Sequence, residues 1–380
     1  MPFYRHSLLI FAAAFLCACD SNHEPPPPPP SEYRFTEVFT LPAMPVEDQG
    51  RSGTCWCFST TSFLESEILR LSGDSVDLSE MYFVQNAYLL KGGNFILRQG
   101  TSRFTEGGSN HDPLFSMPVW GMMPESAYQG HNVGDSIFDH SKMYPEMLDS
   151  MQIWADPGKK RTAAWKQGLP AILEKYMGKA PGTFHYKGVE YSPQSFCAAM
   201  PIRPQDYINI TSFSHHPFYQ PFILEIPANH LNGPFYNLPL DVYMAVIHHA
   251  LDSGFTLALD TDAMEPGFSP QYGVALVAAD PGNAETVAWK VQPEMADISQ
   301  QYRQEEFENL RTVDDHNMHI VGKVKDQHGK VYFKVKNSWG EKCCNNGFMY
   351  MSQPYVRLKS IYVMLHKDGL PADIRAKLGL

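Results

Sequence analysis

Cys55 follows a turn, Gln49-Gly-Arg-Ser-Gly-Thr54, and opens an apolar segment, Cys55-Trp-Cys-Phe-Ser-Thr60, whose spacing predicts a helix from Cys55 to Leu71. The first N–H groups of a helix lack helical acceptors, and the peptide dipoles point their positive end there. A thiol at that point is biased toward thiolate. Gly50 and Gly53 let the backbone approach a ligand closely. Gln49 lies six residues upstream, across the turn, where its amide reaches the same point. The Cys55 N–H and the Gln49 side chain would make a donor pair for an oxyanion. A thiol nucleophile also needs a base, and a group that orients the base.

Those partners stand far along the chain, in Val313-Asp-Asp-His316-Asn-Met-His319-Ile-Val-Gly322 and Lys336-Asn337-Ser-Trp339-Gly340. Cysteine first, histidine much later and Asn-Ser-Trp-Gly last resembles the papain-like cysteine peptidases, specifically the bleomycin hydrolase/aminopeptidase C branch. The resemblance implies that Asn337 accepts the second ring N–H of the histidine and that Trp339 shields that bond from water. Two histidines compete for the role of base. His316 stands six residues before Gly322, as the family pattern requires. Strand alternation puts His316, Met318, Ile320 and Gly322 on one face and Asn317, His319, Val321 and Lys323 on the other. His316 is therefore read as the base, and His319 as a strand histidine on the opposite face.

Further stretches carry the same likeness. Ser52 occupies the position where secreted papain-like enzymes have an extra cysteine. His316 lies 261 positions after Cys55, against about 130 in compact relatives. Insertions, expected around residues 130–235, must account for the difference. Ser214-His-His-Pro-Phe-Tyr219, Leu224-Glu-Ile-Pro227 and Asp241-Val-Tyr-Met-Ala-Val246 with Leu251-Asp-Ser-Gly-Phe-Thr256 also resemble the branch. In all, the likeness runs from about Pro45 to Pro371. Glu106-Gly107-Gly108 matches the glycines that line the substrate cleft, so Gly107 and Gly108 are expected to bind the peptide backbone. In this branch the chain end reaches into the cleft and its carboxylate meets the substrate amino group. Within the tail, residues 367–380, the stretch from Leu370-Pro371 to Leu378 resembles the start of such an extension.

The surrounding elements follow from pattern. A second helix should begin after Leu78, with Ser79 as its N-cap and Met81, Tyr82, Val84, Tyr88 and Leu89 as its apolar set. Residues 91–135 read as loop around a short helix. Met143 to Trp154 and Ala163 to Tyr176 read as helices that Pro145, Gly168 and Pro170 should shorten or break. Strands are expected at Tyr219–Ile226, Phe255–Leu259, Ile320–Val324, Val331–Asn337, Gly347–Ser352 and Ser360–Leu365, with a helix over Asp241–Gly254. Helices early and an antiparallel sheet late make an α+β order. The resemblance implies a two-lobed papain-like fold with the nucleophile helix in the helical lobe. Asp260 and Asp262 follow a strand and read as loop caps or cleft-edge acids. His215-His216 and His248-His249 read as structural. Adjacent Cys343 and Cys344 suit zinc poorly, and no second ligand pair has zinc spacing, so no metal and no cofactor is expected. Pairing of either with Cys57 or Cys197 is left open.

The N-terminus reads as an address. Arg5 and His6 precede an apolar run, Ser7 to Phe15, too short to span a bilayer. Leu16-Cys17-Ala18-Cys19 resembles a bacterial lipobox, which implies cleavage before Cys19 and its lipidation. The expected organisation is a signal peptide (1–18), a lipidated Cys19 with a stalk containing six prolines (19–32), a peptidase domain (33–366) and a tail (367–380). Polyproline is extended and packs no core. The chain of 380 residues has 30 Lys+Arg against 41 Asp+Glu, a net charge of −11. That balance argues against nucleic acid as a partner. The expected function is a cysteine peptidase acting on peptides, an aminopeptidase by resemblance, held to a membrane of the bacterial cell envelope through Cys19. The alternatives are an endopeptidase, a cell-wall amidase or transpeptidase, and a catalytically silent peptide-binding lipoprotein. Related enzymes form hexamers, and the oligomeric state is left open.

Overall fold

In the computed structural model, which describes residues 28–131, 137–159 and 162–380, helices dominate the first half and strands the second. The helices are α1 (Cys55–Ser72), α2 (Glu80–Leu97), α3 (Asp112–Trp120), α4 (Met143–Ala155), α5 (Trp165–Met177), α6 (Pro193–Ala199), α7 (Leu240–Asp252), α8 (Gln300–Glu308), α9 (Gln353–Lys359) and α10 (Ala372–Leu378). The strands are β1 (Thr36–Thr40), β2 (Phe184–Tyr186), β3 (Val189–Tyr191), β4 (Tyr207–Thr211), β5 (Pro221–Ile223), β6 (Pro234–Asn237), β7 (Leu257–Thr261), β8 (Phe268–Ser269), β9 (Val274–Ala275), β10 (His316–Lys325), β11 (Val331–Lys336), β12 (Phe348–Ser352) and β13 (Ser360–His366). The main sheet runs β5-β6-β4-β13-β7-β10-β11-β12-β9-β8. β1 pairs with the far half of β10, while the first half of β10 pairs with β7. Cys19 and Pro25–Pro27 lie outside the described residues, and Pro28–Pro30 carry no regular structure. No helix among the described residues is long and apolar enough to cross a membrane.

Among the described residues the chain builds two smaller apolar clusters and two large apolar cores. One joins Trp56, Phe63 and Leu64 of α1 to Met81 and Phe83 of α2 and to Met143, Met147 and Met151 of α4. The other joins Leu257, Leu259, Met318, Ile320, Phe333 and Val363 of the sheet to α7. α1 is buried from Cys55 to Ile68 on all sides, as a helix enclosed by both lobes must be. It is fixed to the sheet by Ser59 Oγ, which donates to Met318 O (2.7 Å), and by Ser62 Oγ, which meets His319 Nδ1 (2.9 Å). Gly73, with φ 76°, ends it in the left-handed region.

Several expectations are corrected here. α2 starts as read, with Ser79 Oγ accepting from Tyr82 N–H (3.1 Å), but it runs on through Gly92 and Gly93 to Leu97. Gly92 is tolerated because Leu169 of α5 packs where a side chain would go. Pro145 and Pro170 interrupt neither α4 nor α5; Pro145 falls in the first turn, where its missing N–H costs nothing. The strand expected at Tyr219–Ile226 shrinks to the edge strand β5, because Tyr219 adopts φ 60°. In β10 the register shifts between Ile320 and Gly322, so the two-residue alternation from His316 fails at Gly322. Residues 343 and 344 are disulfide-bonded to each other, and Cys57 and Cys197 are free.

The turn before α1 is held by its backbone. Arg51 N–H donates to Phe138 O (2.8 Å) and His140 N–H to Arg51 O (3.0 Å). Gly50 has φ 59°, and a Cβ there would stand 2.4 Å from Phe138 O. Gly73 shares the positive φ but has open space around it. Gly50→Ala should therefore cost about 2–4 kcal/mol, from backbone strain plus a clash with fixed backbone, while Gly73→Ala should cost about 1 kcal/mol from strain alone. Urea denaturation of both variants checks the ranking.

Candidate active site

Cys55 is the first residue of α1, and Thr54 makes no side-chain cap. The helical acceptor Thr54 O is used by Cys57 N–H (2.8 Å). Cys55 N–H has no hydrogen-bond partner among the described residues, so it is available to a ligand. The sulfur lies beside the backbone N–H groups of Trp56 and Asn317. β10 begins at His316, so the base read from the sequence is the residue next to the one that touches the sulfur.

The imidazole of His316 is fixed on two sides. Nε2 lies 2.9 Å from Asn337 Oδ1, and the same oxygen accepts Ser338 N–H (2.8 Å). Accepting the Ser338 N–H fixes the orientation of the Asn337 amide, so the ring must be the donor in the Nε2 bond. Nε2 thus carries the proton and Nδ1 keeps its lone pair. Trp339 stacks on the ring, centroids 4.6 Å apart and planes 23° apart, and Phe268 meets both rings edge-on. His319 takes no part in this arrangement. It is buried between Ser62 and Phe63, with Lys336 Nζ also donating to Ser62 Oγ (2.8 Å).

Gln49 is buried and tied to the Asn337 loop. Its Oε1 accepts Ser338 Oγ–H (2.6 Å), its N–H donates to Ser338 O (2.9 Å), and its Nε2 donates to Ser52 O (2.7 Å). One Nε2 hydrogen remains for a ligand. Ser338 thereby orients both the Asn337 amide and the Gln49 amide. The sequence reading passed over it, although it sits inside the Asn-Ser-Trp-Gly run.

Gly107 and Gly108 line a cleft of about 240 Å³ together with Cys55, Asn317, Asp314 and Asp315. A Cβ on Gly108 would fall 2.9 Å from the Trp56 ring, whereas Gly107 faces open space. This loop is held from beneath by Lys91, whose Nζ donates to the carbonyls of Thr105, Glu106 and Gly107, and by Trp56 Nε1, which donates to Glu106 O (2.9 Å). Burial brings the Lys91 ammonium down to about 8. Lys91 was invisible to the sequence reading, because its stretch reads as loop. The tail ends elsewhere: Leu380 lines a different cavity with His111, Leu114, Tyr207 and Tyr236, and no residue of 367–380 lines the Cys55 cleft. His215, His216 and Glu225 form the cluster with metal-ligand proximity among the described residues. Its donors do not suit a metal, because Gln304 Nε2 donates to His215 Nδ1 (3.0 Å), which directs the ring proton to the nitrogen facing Glu225.

Electrostatics separate charged from neutral states sharply. Burial pushes the Cys55 thiol up to about 11, against the opposing pull of the Asn317 and Trp56 N–H groups. Burial brings the His316 imidazolium down to about 4, against the pull of Asn337. Neither charge is favoured alone, so the helix-start bias toward thiolate is outweighed. Passing one proton from Sγ to Nδ1 creates both charges together and leaves the net charge unchanged.

Residues 183–379 match the Peptidase C1-like family, and residues 35–94 match the papain family of cysteine proteases. The first match alone takes in just over half the chain. The chain belongs to the Peptidase C1-like family. Aminopeptidase C of Listeria monocytogenes is 22% identical over 373 residues, covering 87% of this chain and 81% of that protein. The oryzain gamma chain of Oryza sativa subsp. japonica is 33% identical over 97 residues, and cysteine proteinase 2 of Zea mays 30% over 97 residues; each match covers 25% of this chain and 27% of the relative. These two matches thus span about a quarter of the relatives' length. The crystal structure of PepW from Lactobacillus rhamnosis HN001 shares the fold with a TM-score of 0.72 at 18% identity, covering 90% of this chain and 84% of that one. The α+β architecture is papain-like.

His319 offers a test of the buried wall behind the site. Burial and the nearby Lys336 hold its protonated form well below the usual range. The unfolded chain therefore takes the proton first as pH falls through about 6.5. The stability that comes from keeping His319 neutral is complete above that pH and is lost below it. Wild type should lose about 1–2 kcal/mol relative to His319→Gln between pH 7.5 and pH 5, measured by urea denaturation of both at each pH. A gap that does not change with pH would contradict the assignment.

Proposed function

We propose that the chain is a cysteine peptidase in which Cys55 attacks the peptide carbonyl, His316 carries the proton, Asn337 orients the ring and Gln49 with the Cys55 N–H binds the oxyanion. The observation that carries this reading is the bond from His316 Nε2 to Asn337 Oδ1, which leaves Nδ1 as the basic nitrogen of a ring whose next residue, Asn317, meets the Cys55 sulfur with its backbone N–H.

The steps follow from those atoms. As Sγ bonds to the carbonyl carbon, its proton passes to Nδ1 and the carbonyl oxygen takes the negative charge. Two donors, the Cys55 N–H and the free Nε2 hydrogen of Gln49, stabilise that oxygen. The imidazolium then returns the proton to the amide nitrogen as the C–N bond breaks, leaving a thioester. Water adds to the thioester with Nδ1 taking its proton, and the thiol is restored as the acid departs. Gly107 and Gly108, without side chains, give an extended peptide room to lie along the cleft wall.

Within this reading we propose exopeptidase action, an aminopeptidase. The likeness to Listeria aminopeptidase C over nearly the whole chain supports it. A silent peptide-binding protein would not need all four of Gln49, Cys55, His316 and Asn337. Attachment to the cell envelope through lipidated Cys19 is also a proposal, supported by Leu16-Cys17-Ala18-Cys19 and the prolines that follow.

Cys55→Ala and His316→Ala should each abolish hydrolysis of aminoacyl amides, with kcat lowered at least about 1,000-fold. His319→Ala should keep activity within about ten-fold of wild type. Activity that survives in Cys55→Ala, or that disappears in His319→Ala but not in His316→Ala, would overturn the assignment. A second comparison separates exopeptidase from endopeptidase: a short peptide with a free amino terminus should be cut much faster than its N-acetylated form. Equal cleavage of the two would refute the aminopeptidase reading.

A further inference from the structure

One group near Cys55 has no role in the steps above. Asp260, in β7, is fully buried; no N–H group and no hydroxyl donates to its carboxyl oxygens, and its hydrogen-bond partner is the carboxyl of Asp314. Its neighbours in the strand, Leu257 and Leu259, enter the sheet core, while Ala258 packs with the helical lobe. Alternation therefore turns Asp260 to the side of α1 and Cys55. It is paired in register with Asn317, whose backbone meets the sulfur.

The next carboxylate is Asp314. It lines the same cleft as Cys55, and its Oδ2 accepts Ala228 N–H (3.0 Å). Asp315, held by Ala263 N–H (2.8 Å), adds a third. The Cys55 sulfur, Asp314, Asp315 and the buried hydroxyls of Tyr243 and Tyr362 are among the chargeable neighbours of Asp260. Arg103, exposed on the same cleft, forms no ion pair with any of these carboxylates. Two acids that face each other at such a site must share a proton or await a cation. Asp262, by contrast, has its oxygens filled by Val313 N–H (3.1 Å) and Met264 N–H (3.0 Å), and so acts as the loop cap read from the sequence.

We propose that Asp260 and Asp314 form a subsite that receives an alkylammonium group of the peptide substrate next to the Cys55 cleft. Asp314 lines the cleft and Asp260 lies behind it, so the ammonium, with three donors, would take the place of the proton the two acids share. Its positive charge also offsets the mutual repulsion of the acids. The group is either the free α-ammonium of the residue being released or the side-chain ammonium of a lysine one position earlier. This inference rests on the peptidase reading.

The test uses the full chain and two measurements. In the first, kcat/KM is compared for an alanyl amide substrate, an N-acetyl-lysyl-alanyl amide and an N-acetyl-glycyl-alanyl amide. Asp260→Asn and Asp314→Asn should lower the ratio of the ammonium-bearing substrate to the neutral one at least ten-fold, mostly through KM. Whichever of the first two substrates loses the preference identifies the source of the ammonium. A ratio unchanged in both variants would overturn the proposal. The second measurement needs no turnover: alanine amide and N-acetyl-lysine amide are tested for slowing Cys55 alkylation by iodoacetamide, with N-acetylalanine amide as control. Protection by an ammonium compound in wild type and its loss in Asp314→Asn supports the subsite even if no peptide is cleaved. Protection that survives in both variants, or none in wild type, refutes it.

Discussion

The bond between His316 Nε2 and Asn337 Oδ1 is the constraint on which the site depends. It decides which ring nitrogen is basic, and it does so only because Ser338 N–H holds the Asn337 oxygen in place. Ser338 also grips Gln49, so one short loop positions both the His316 ring and the Gln49 amide, the base and an oxyanion donor of the proposed mechanism. Stacking of Trp339 over His316 keeps water from that hydrogen bond, which strengthens it where the local dielectric is low. The sheet supplies the loop and the base, while the helical lobe supplies the thiol. Chemistry therefore requires the lobes to be locked together, as the Ser59 bond to Met318 O does.

Burial sets the energetic terms. A lone thiolate or a lone imidazolium is costly in this pocket, with the thiol near 11 and the ring near 4. The cost is removed when the charges arise together and a polarised carbonyl enters between donors that need no reorganisation. Asp314 and Asp315 oppose the thiolate further, since negative charge close to a sulfur raises its pKa. A cation delivered by the substrate relieves this, which would couple substrate recognition to nucleophile activation.

Much of the site was legible in the chain because it depends on local order. Cys55 after a two-glycine turn, and Asn-Ser-Trp-Gly after a strand, are short segments whose chemistry is visible in residue types. The choice of His316 over His319 rested on spacing to Gly322 and on alternation; the register shift before Gly322 breaks that alternation, yet His316 remains the ring that meets Asn337. What stayed hidden depends on distance. Lys91 supports the Gly107 loop from a helix that its own Gly92-Gly93 disguised as loop. Asp260 read as a loop cap or a cleft-edge acid beyond the strand until β7 extended over it, because a polar residue facing a second lobe breaks the apolar pattern of a strand. The disulfide between Cys343 and Cys344, which no spacing rule favoured, likewise depends on a backbone turn, with Cys344 at φ 58°.

The central claim is that His316 makes the buried Cys55 thiol reactive. The most direct measurement is the pH dependence of Cys55 alkylation by iodoacetamide in wild type and in His316→Ala. With the imidazole present to take the proton, wild type should react near neutral pH. Without it, reaction should rise only as the pH approaches the value of about 11 set by burial of the lone thiol. Matching profiles in the two proteins would contradict the account.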